Sequence, residues 1–200
     1  MTKTLLGILS IVALSGLTGC SKEPAPEIQA ARDAVMEAEK AAANEYAPET
    51  YAQAQEQMNA LTAEIEAQDG KFALFRSYDK AKEMAASTQE TAARAATEAQ
   101  VGKKAAMDEA MVAIQEARDA LQAALTEIES APAGKGSAAD LEALKMDLAQ
   151  VGQELDAIDQ HLQAEEYRQA TMKARAATAT VGGVRAALAA ATQMKGSGSR

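Results

Sequence analysis

The sequence predicts an all-α protein: an elongated antiparallel helical bundle or coiled coil, built as two tandem three-helix units. The first observation is composition, because Ala, Glu, Gln and Lys dominate, aromatic residues make up 3% of the chain and Trp is absent. The abundant residues are strong helix formers, and the β-branched residues that strands favour are scarce. The second observation is that apolar residues recur at spacings of three and four, and the third is an internal repeat.

Residues 1–19 have the layout of a secretory signal peptide. Lys3 gives a positive start, Leu5–Leu14 is an apolar run, and Leu17-Thr-Gly-Cys20 ends the segment on the only cysteine of the chain. The run is about ten residues long, whereas a bilayer span needs ~20. The Leu-Thr-Gly-Cys tetrad resembles the lipobox of bacterial lipoproteins, which implies cleavage before Cys20 and lipidation of its sulfur. The alternative is an ordinary signal peptide with an incidental cysteine.

Residues 20–27 are predicted to form the lipidated cysteine and an extended tether. Pro24 and Pro26 favour an extended backbone, and the segment spans at most about 20–25 Å, so the folded part would stay close to the bilayer. Ser21 occupies the position where enterobacterial-type sorting uses Asp to retain lipoproteins in the inner membrane. In a cell with two membranes, we therefore expect attachment to the outer membrane, facing the periplasm, rather than to the inner one.

Residues 28–101 are predicted to form the first helical unit. Its first helix runs from about Glu27 to Tyr46 and stops at Ala47-Pro48, because proline lacks an amide donor and disfavours helix in the preceding residue. The second helix covers about Glu49–Gln68, and the third begins near Lys71. Small and apolar residues form the seams, in helix order Ile28, Ala31, Val35, Ala38, Ala42; Tyr51, Ala54, Met58, Leu61, Ile65; Leu74, Tyr78, Ala81, Ala85, Thr88, Ala92, Ala95 and Ala99.

Residues 102–194 are predicted to form the second unit. The seam slips by one position near Gly102, which we expect to lie within one long helix, kinked at the glycine, although a break there is the alternative. After a loop at 131–137, helices are expected over Ala138 to about Gln163 and Ala164 to about Met194. Residues 195–200 form a Gly/Ser tail that is predicted to be disordered. The clearest seam is Leu141, Leu144, Leu148, Val151, Leu155, Ile158 and Leu162.

Two pairs of segments indicate that the units are copies of one another. Ile28-Gln-Ala-Ala-Arg-Asp-Ala-Val35 matches Ile114-Gln-Glu-Ala-Arg-Asp-Ala-Leu121, and each is followed by an Ala-Pro break. Tyr78-Asp-Lys-Ala81 likewise corresponds to Tyr167-Arg-Gln-Ala170. The shared order and the nearly constant offset favour a duplication.

The first copy also resembles a known family. The run from Ile28 to about Ala99 resembles domain of unknown function 4398, which occurs in bacterial envelope lipoproteins. The residues that carry the resemblance are Ala30, Ala34, Ala38, Tyr46-Ala-Pro-Glu49, Ala52, Ala54, Tyr78, Ala81 and Ala85. The resemblance implies a helical, membrane-anchored periplasmic protein.

The formal net charge of −9 restricts the partners. Nucleic acids and anionic lipid surfaces both require basic patches, so no nucleic-acid partner is predicted. Membrane contact is instead expected through acyl chains on Cys20, each buried methylene contributing about 0.8 kcal/mol. With its sole cysteine lipidated, the chain would contain no internal disulfide.

No catalytic, metal-binding or cofactor-binding residue is predicted, and no cofactor. His161 is the only histidine, and it is expected to have a surface or capping role. The carboxylates between 154 and 166 are expected to form a solvated helix face, although a divalent cation is the alternative reading. The seven methionines at 36, 58, 84, 107, 111, 146 and 172 are dispersed and are expected to fill cores rather than to bind copper.

One aromatic stripe is a candidate interaction surface: Phe72, Phe75 and Tyr78, at spacings of three on the third helix. The alternative is that it plugs the end of a helical hairpin. The preferred function is a structural or scaffolding lipoprotein that interacts with envelope proteins or with itself. The alternative is a binding module for a peptide or hydrophobic ligand in a groove between the helical units, and an enzyme is disfavoured.

Overall fold

The computed structural model describes residues 22–131 and 138–197, and these are mostly helical. The helices are α1 (Ala25–Lys40), α2 (Ala43–Tyr46), α3 (Pro48–Asp69), α4 (Asp79–Ser130), α5 (Ala138–Gln163) and α6 (Tyr167–Ser197), with one 3-10 turn at Ala73–Phe75. No strand occurs in the described residues, and the predicted all-α class is confirmed. The break at Ala47-Pro48 and the helix that follows it are also confirmed.

The predicted first helix is wrong at both ends, and the predicted tether extends too far toward the C-terminus. Helix α1 begins at Ala25, because a proline in the first helical turn forfeits no intrahelical hydrogen bond, and the Ile28 amide already donates to the Pro24 carbonyl at 3.1 Å. Helix α1 ends at Lys40 rather than Tyr46. Ala42 has a left-handed backbone (φ 58°), and residues 43–46 form the separate short helix α2.

Residues 22–40 and 49–95 form one compact unit of three antiparallel helical segments. Ile28 near the start of α1 shares a buried cluster with Leu61 and Ile65 of α3. Segments α3 and α4 run in opposite directions. Glu64, near the end of α3, pairs with Lys80 at the start of α4 at 2.6 Å, and Gln53, near the start of α3, accepts from Arg94 further along α4 at 3.2 Å. The buried cluster is completed by Ala31, Tyr78, Ala81 and Ala85.

A second compact unit comprises residues 41–48 together with the described residues from 96 onward, 96–131 and 138–197. Helix α5 is antiparallel to α4, since Leu121 lies against Gly152 and Arg118 pairs with Asp159 at 3.4 Å. Helix α6 runs parallel to α4, with Arg175 paired to Glu109 and Arg185 to Glu127. The core of the second unit includes the central part of the leucine seam of α5 and three residues of α6: Leu148, Val151, Leu155, Ile158, Val181, Val184 and Leu188.

Helix α4 is one continuous helix through Gly102, as predicted, but it starts at Asp79 and not near Lys71. A Cβ at Gly102 would lie 2.8 Å from the Tyr46 carbonyl oxygen, so the glycine leaves room for the close approach of α2. Helix α6 also starts later than predicted, at Tyr167. Glu165 adopts a left-handed backbone (φ 59°) and the Glu166 amide closes the end of α5 on the His161 carbonyl at 2.8 Å.

The C-terminal tail is helical where it is described. Helix α6 continues to Ser197, so the predicted disorder is wrong for residues 195–197, and residues 198–200 lie outside the described part. A glycine weakens a helix by about 1 kcal/mol but does not by itself end it.

Candidate functional site

The predicted lipidation site and the predicted aromatic stripe have different outcomes. Cys20 lies outside the described residues, which begin at Lys22. The stripe does not form one helical face: Phe72 precedes the 3-10 turn and Phe75 ends it, and they are 69% and 76% exposed, whereas Tyr78 is buried. Leu74, predicted as a seam residue, is 71% exposed. The helical periodicity extrapolated across residues 71–78 fails because the α-helix starts only at Asp79.

The exposed residues form a short apolar loop, which we define as residues 71–76. It presents three large apolar side chains to solvent, and the rings of Phe72 and Phe75 lie 6.4 Å apart at a tilt of 52°. Exposed apolar patches of this kind are typical of interaction sites with proteins or membranes. The loop is therefore the strongest candidate interaction surface in the first unit.

Hydrogen bonds hold the apolar loop in a defined conformation. The Arg76 guanidinium donates to the backbone carbonyls of Lys71 at 2.9 Å and Asp69 at 2.8 Å, which satisfies carbonyl groups at and just beyond the end of α3. The buried Gln68 side chain accepts from the Ser77 amide at 3.2 Å and the Lys71 ammonium at 3.0 Å. The apolar side chains thus project from a braced turn.

Tyr78 anchors the loop to the core of the first unit. Its ring is buried with Ile28 and Ile65, and its hydroxyl donates to the Asp69 carboxylate. That hydrogen bond, followed by burial and the negative charge of Asp69, raises the pKa of Tyr78, and the charge of Glu23 adds to the rise. The start of α1 and the apolar loop therefore lie at the same end of this unit.

A second feature, which we call the Tyr46 clasp, lies in the second unit. The buried ring of Tyr46 is covered by Arg168, whose guanidinium carbon lies 5.4 Å from the ring centroid, a cation–π distance. The Tyr46 hydroxyl donates to the Glu165 carbonyl at a long 3.5 Å, and the Glu165 carboxylate pairs with Lys103. Burial raises the pKa of Tyr46 to about 12, with the charge of Glu45 second.

A surface groove of about 430 Å³ lies beside the clasp, between α4 and α6, and we call it the α4–α6 groove. Small residues line its α4 side, while Arg168, Met172 and Arg175 line its α6 side. Arg175 is paired with Glu109 at 2.7 Å, so the charge of that side is partly neutralised. Within the described part of the chain, a larger concavity of about 640 Å³ is lined by α5 alone, so no second helix encloses it.

The histidine and three of the carboxylates between 154 and 166 form surface ion pairs. His161 lies in the last turn of α5, with Nδ1 2.6 Å from Glu166, and Asp159 pairs with Arg118. Among the described residues, no three His, Cys, Asp or Glu side chains are grouped so as to hold a metal ion. Over the same part of the chain, none of the helices combines the length and apolarity required to cross a bilayer.

The predicted role of the methionines is wrong for four of them. Met58 and Met84 pack against the core of the first unit, as predicted. The four at positions 36, 111, 146 and 172 are exposed, because methionine is also a good helix former and is tolerated on a helix surface.

Sequence reasoning missed three elements of these surfaces. Arg76 gives no sequence sign of its bonds to the end of α3, and the contact of Gly102 with Tyr46 spans distant parts of the chain. The start of α4 did have a signal. Ser77 and Asp79, whose side chains are hydrogen-bonded at 3.1 Å, are typical of a helix N-terminus and mark it more accurately than the alanine seam.

Comparisons with known proteins give no relative: no family model, curated protein or solved structure significantly matches the chain. The resemblance to domain of unknown function 4398 therefore stays a prediction.

Proposed function

We propose that this chain is a membrane-anchored envelope lipoprotein with a structural or protein-interaction role. The observation that carries the proposal is the Leu17-Thr-Gly-Cys20 tetrad, and α1 begins at Ala25, only five residues after Cys20. Pro24 is already buried, so the spacer between Cys20 and the folded unit is shorter than the sequence predicts. A lipid on Cys20 would hold the first helical unit directly at the membrane surface, since five residues span at most about 18 Å.

Exposed apolar side chains support the interaction role. Val101, Met111 and Val112 on α4 and Met172 on α6 are all more than half exposed. Large apolar side chains on the outer surface of a helical protein are available to other envelope proteins or to a second copy of the chain. The proposal therefore assigns anchoring to Cys20 and recognition to the helical surfaces.

Labelling with an alkyne fatty acid tests the anchor. In a bacterial host, the chain should incorporate the label and fractionate with the outer membrane, whereas Cys20→Ala should lose both the label and cleavage of the leader. Ser21→Asp is the matched control: it should keep the label and move to the inner membrane. An unlabelled, released wild-type chain would overturn the proposal.

The α4–α6 groove favours a second candidate function, a binding module for a peptide. Met172 stands 57% exposed on the groove, and Met111 stands equally exposed on α4 without lining it. A photo-crosslinking residue at position 172 should capture a peptide partner in intact cells, whereas the same probe at position 111 should not. Equal capture at both positions would leave general surface interaction as the better description.

A further inference from the structure

The apolar loop lies at the end of the first unit that is nearest to Cys20 in the chain. Ile28, one turn into α1, is buried together with Ile65 near the end of α3 and Tyr78 just before α4. Lys22, the first described residue, is only two positions after Cys20. Any membrane to which Cys20 is attached would therefore be within reach of the loop.

We propose that residues 71–76 insert Phe72, Leu74 and Phe75 into the interfacial region of the bilayer beside the lipid anchor. This inference rests on the proposed function, because it takes the membrane at Cys20 as the surface that the loop meets. The three side chains are each at least 69% exposed, and no described residue of the unit covers them. Aromatic and leucine side chains are suited to the boundary between headgroups and acyl chains.

The braced turn explains how the loop can present these side chains. Hydrogen bonds from Arg76 to backbone carbonyls and from the Ser77 amide to Gln68 fix the loop backbone. The loop is therefore already ordered before it meets lipid. A loop whose conformation is already fixed loses less conformational entropy when it inserts. The anchor raises the local concentration of bilayer around the loop in the same way that a linker does between two binding modules.

The charges around the loop favour apolar insertion over electrostatic attraction. The segment 69–79 carries two cations, Lys71 and Arg76, and two anions, Asp69 and Asp79, so neither sign dominates around the loop. Arg76 is directed at backbone carbonyls rather than outward. Insertion should therefore be nearly independent of the anionic lipid content and of salt.

A single tryptophan provides the test, because the chain has none of its own. Phe75→Trp places the probe in the loop, and Met36→Trp places it at an exposed site on α1, away from that end of the unit. The chain from residue 20 onward is coupled through the Cys20 thiol to maleimide lipids in phosphatidylcholine vesicles. This chemical anchor makes the result independent of whether a cell lipidates Cys20.

Lipids brominated near the headgroup end of the acyl chains should quench Phe75→Trp severalfold more strongly than Met36→Trp, and its emission should shift to shorter wavelength. Adding Phe72→Ser and Leu74→Ser should reduce the quenching, while the helical circular dichroism is retained because these side chains are exposed. The quenching should be unchanged when part of the lipid is phosphatidylglycerol.

Equal, weak quenching at both probe positions in coupled vesicles would overturn the inference, as would a loop probe that is shielded only when an envelope protein is added. Fatty-acid labelling of Cys20 in cells separately decides the proposed function. A chain that is labelled but has an unquenched loop would support the anchor and refute the insertion. A chain that is unlabelled but has a quenched loop would refute the anchor and support the insertion.

Discussion

Gly102 makes a tertiary contact with Tyr46 that cannot be predicted from the local sequence. In an alanine-rich helix a glycine suggests a weak point, and its helix propensity alone predicts a penalty of about 1 kcal/mol relative to Ala. The structure instead places the Tyr46 carbonyl oxygen 2.8 Å and the Tyr46 Cβ 3.2 Å from where a methyl group would stand. At this residue, packing outweighs propensity.

Gly102→Ala should therefore destabilise the second unit. Overpacking against backbone typically costs ~1–3 kcal/mol and exceeds the propensity gain of about 1 kcal/mol, so the net loss should reach up to about 2 kcal/mol. Gly182→Ala is the matched control, because nothing lies within 4 Å of the added Cβ on α6. It should stabilise by up to about 1 kcal/mol in urea unfolding. Stabilisation by both changes would contradict the contact with Tyr46.

Tyr46 should make stability depend on alkaline pH. Burial raises its pKa from 10.0 to about 12, so the folded state favours the protonated hydroxyl. The corresponding stabilisation is complete below pH 10 and is lost as the pH rises from 10 to about 12. The difference in unfolding free energy between wild type and Tyr46→Phe should fall across that interval. A pH-independent difference would indicate that the phenol is already exposed to water.

At the scale of elements, the leucine seam of α5 is buried only in its centre. Leu148 and Leu155 are 1% and 2% exposed, whereas Leu141, Leu144 and Leu162 are partly exposed although they share the same spacing. The pattern identifies the face of the helix but not how far its partners extend. Burial at the ends depends on the neighbouring helices, which periodicity does not describe.

Leu148→Ala should cost ~2–5 kcal/mol of unfolding free energy, because it removes a buried side chain and leaves a cavity. Leu144→Ala, one turn earlier on the same seam, should cost clearly less, since its side chain is already partly hydrated. Chemical denaturation followed by circular dichroism measures both. Equal losses would mean that the two positions are packed alike.

How much of this protein can be predicted from sequence follows from the range of each interaction. Helix content, the stop at Pro48 and the continuity of α4 depend on local propensity and proline chemistry, and they are correct. The predicted ends of α1, α4 and α6 are wrong. Non-glycine residues adopt a left-handed backbone at Ala42 and Glu165, and contacts between distant parts of the chain determine where a helix ends. The sequence predicts Phe72 and Phe75 on a helix with Tyr78, but they lie in a loop whose shape depends on Arg76 and Gln68.

At the scale of the whole molecule, the two compact units divide α4 between them. Residues 79–95 belong to the first unit and residues 96–130 to the second, within one uninterrupted helix. Each unit has its own buried core, with Leu61 in the first and Leu155 in the second. Local stability can therefore differ along a helix that looks uniform in sequence.

Leu61→Ala should increase amide hydrogen exchange mainly in the first unit. The variant removes a fully buried side chain, at a cost of ~2–5 kcal/mol, so protection should fall in α1, α3 and residues 79–95 of α4. Residues 96–130 and α5 should keep their protection, as measured by mass spectrometry of peptic peptides. Leu155→Ala is the reciprocal control. A uniform loss along all of α4 would show that the cores open in one step.

The placement of residues 41–48 in the second unit sets an order of events during synthesis. Tyr46 and the Glu165 carbonyl that it reaches are separated by 119 residues, so the ribosome needs roughly 6–24 s to supply the partner. The first unit contains no residue beyond 95, so all of it has been synthesised well before residue 165. Until Glu165 and Arg168 are made, the clasp around Tyr46 is incomplete, although Gly102, which also contacts Tyr46, is synthesised much earlier.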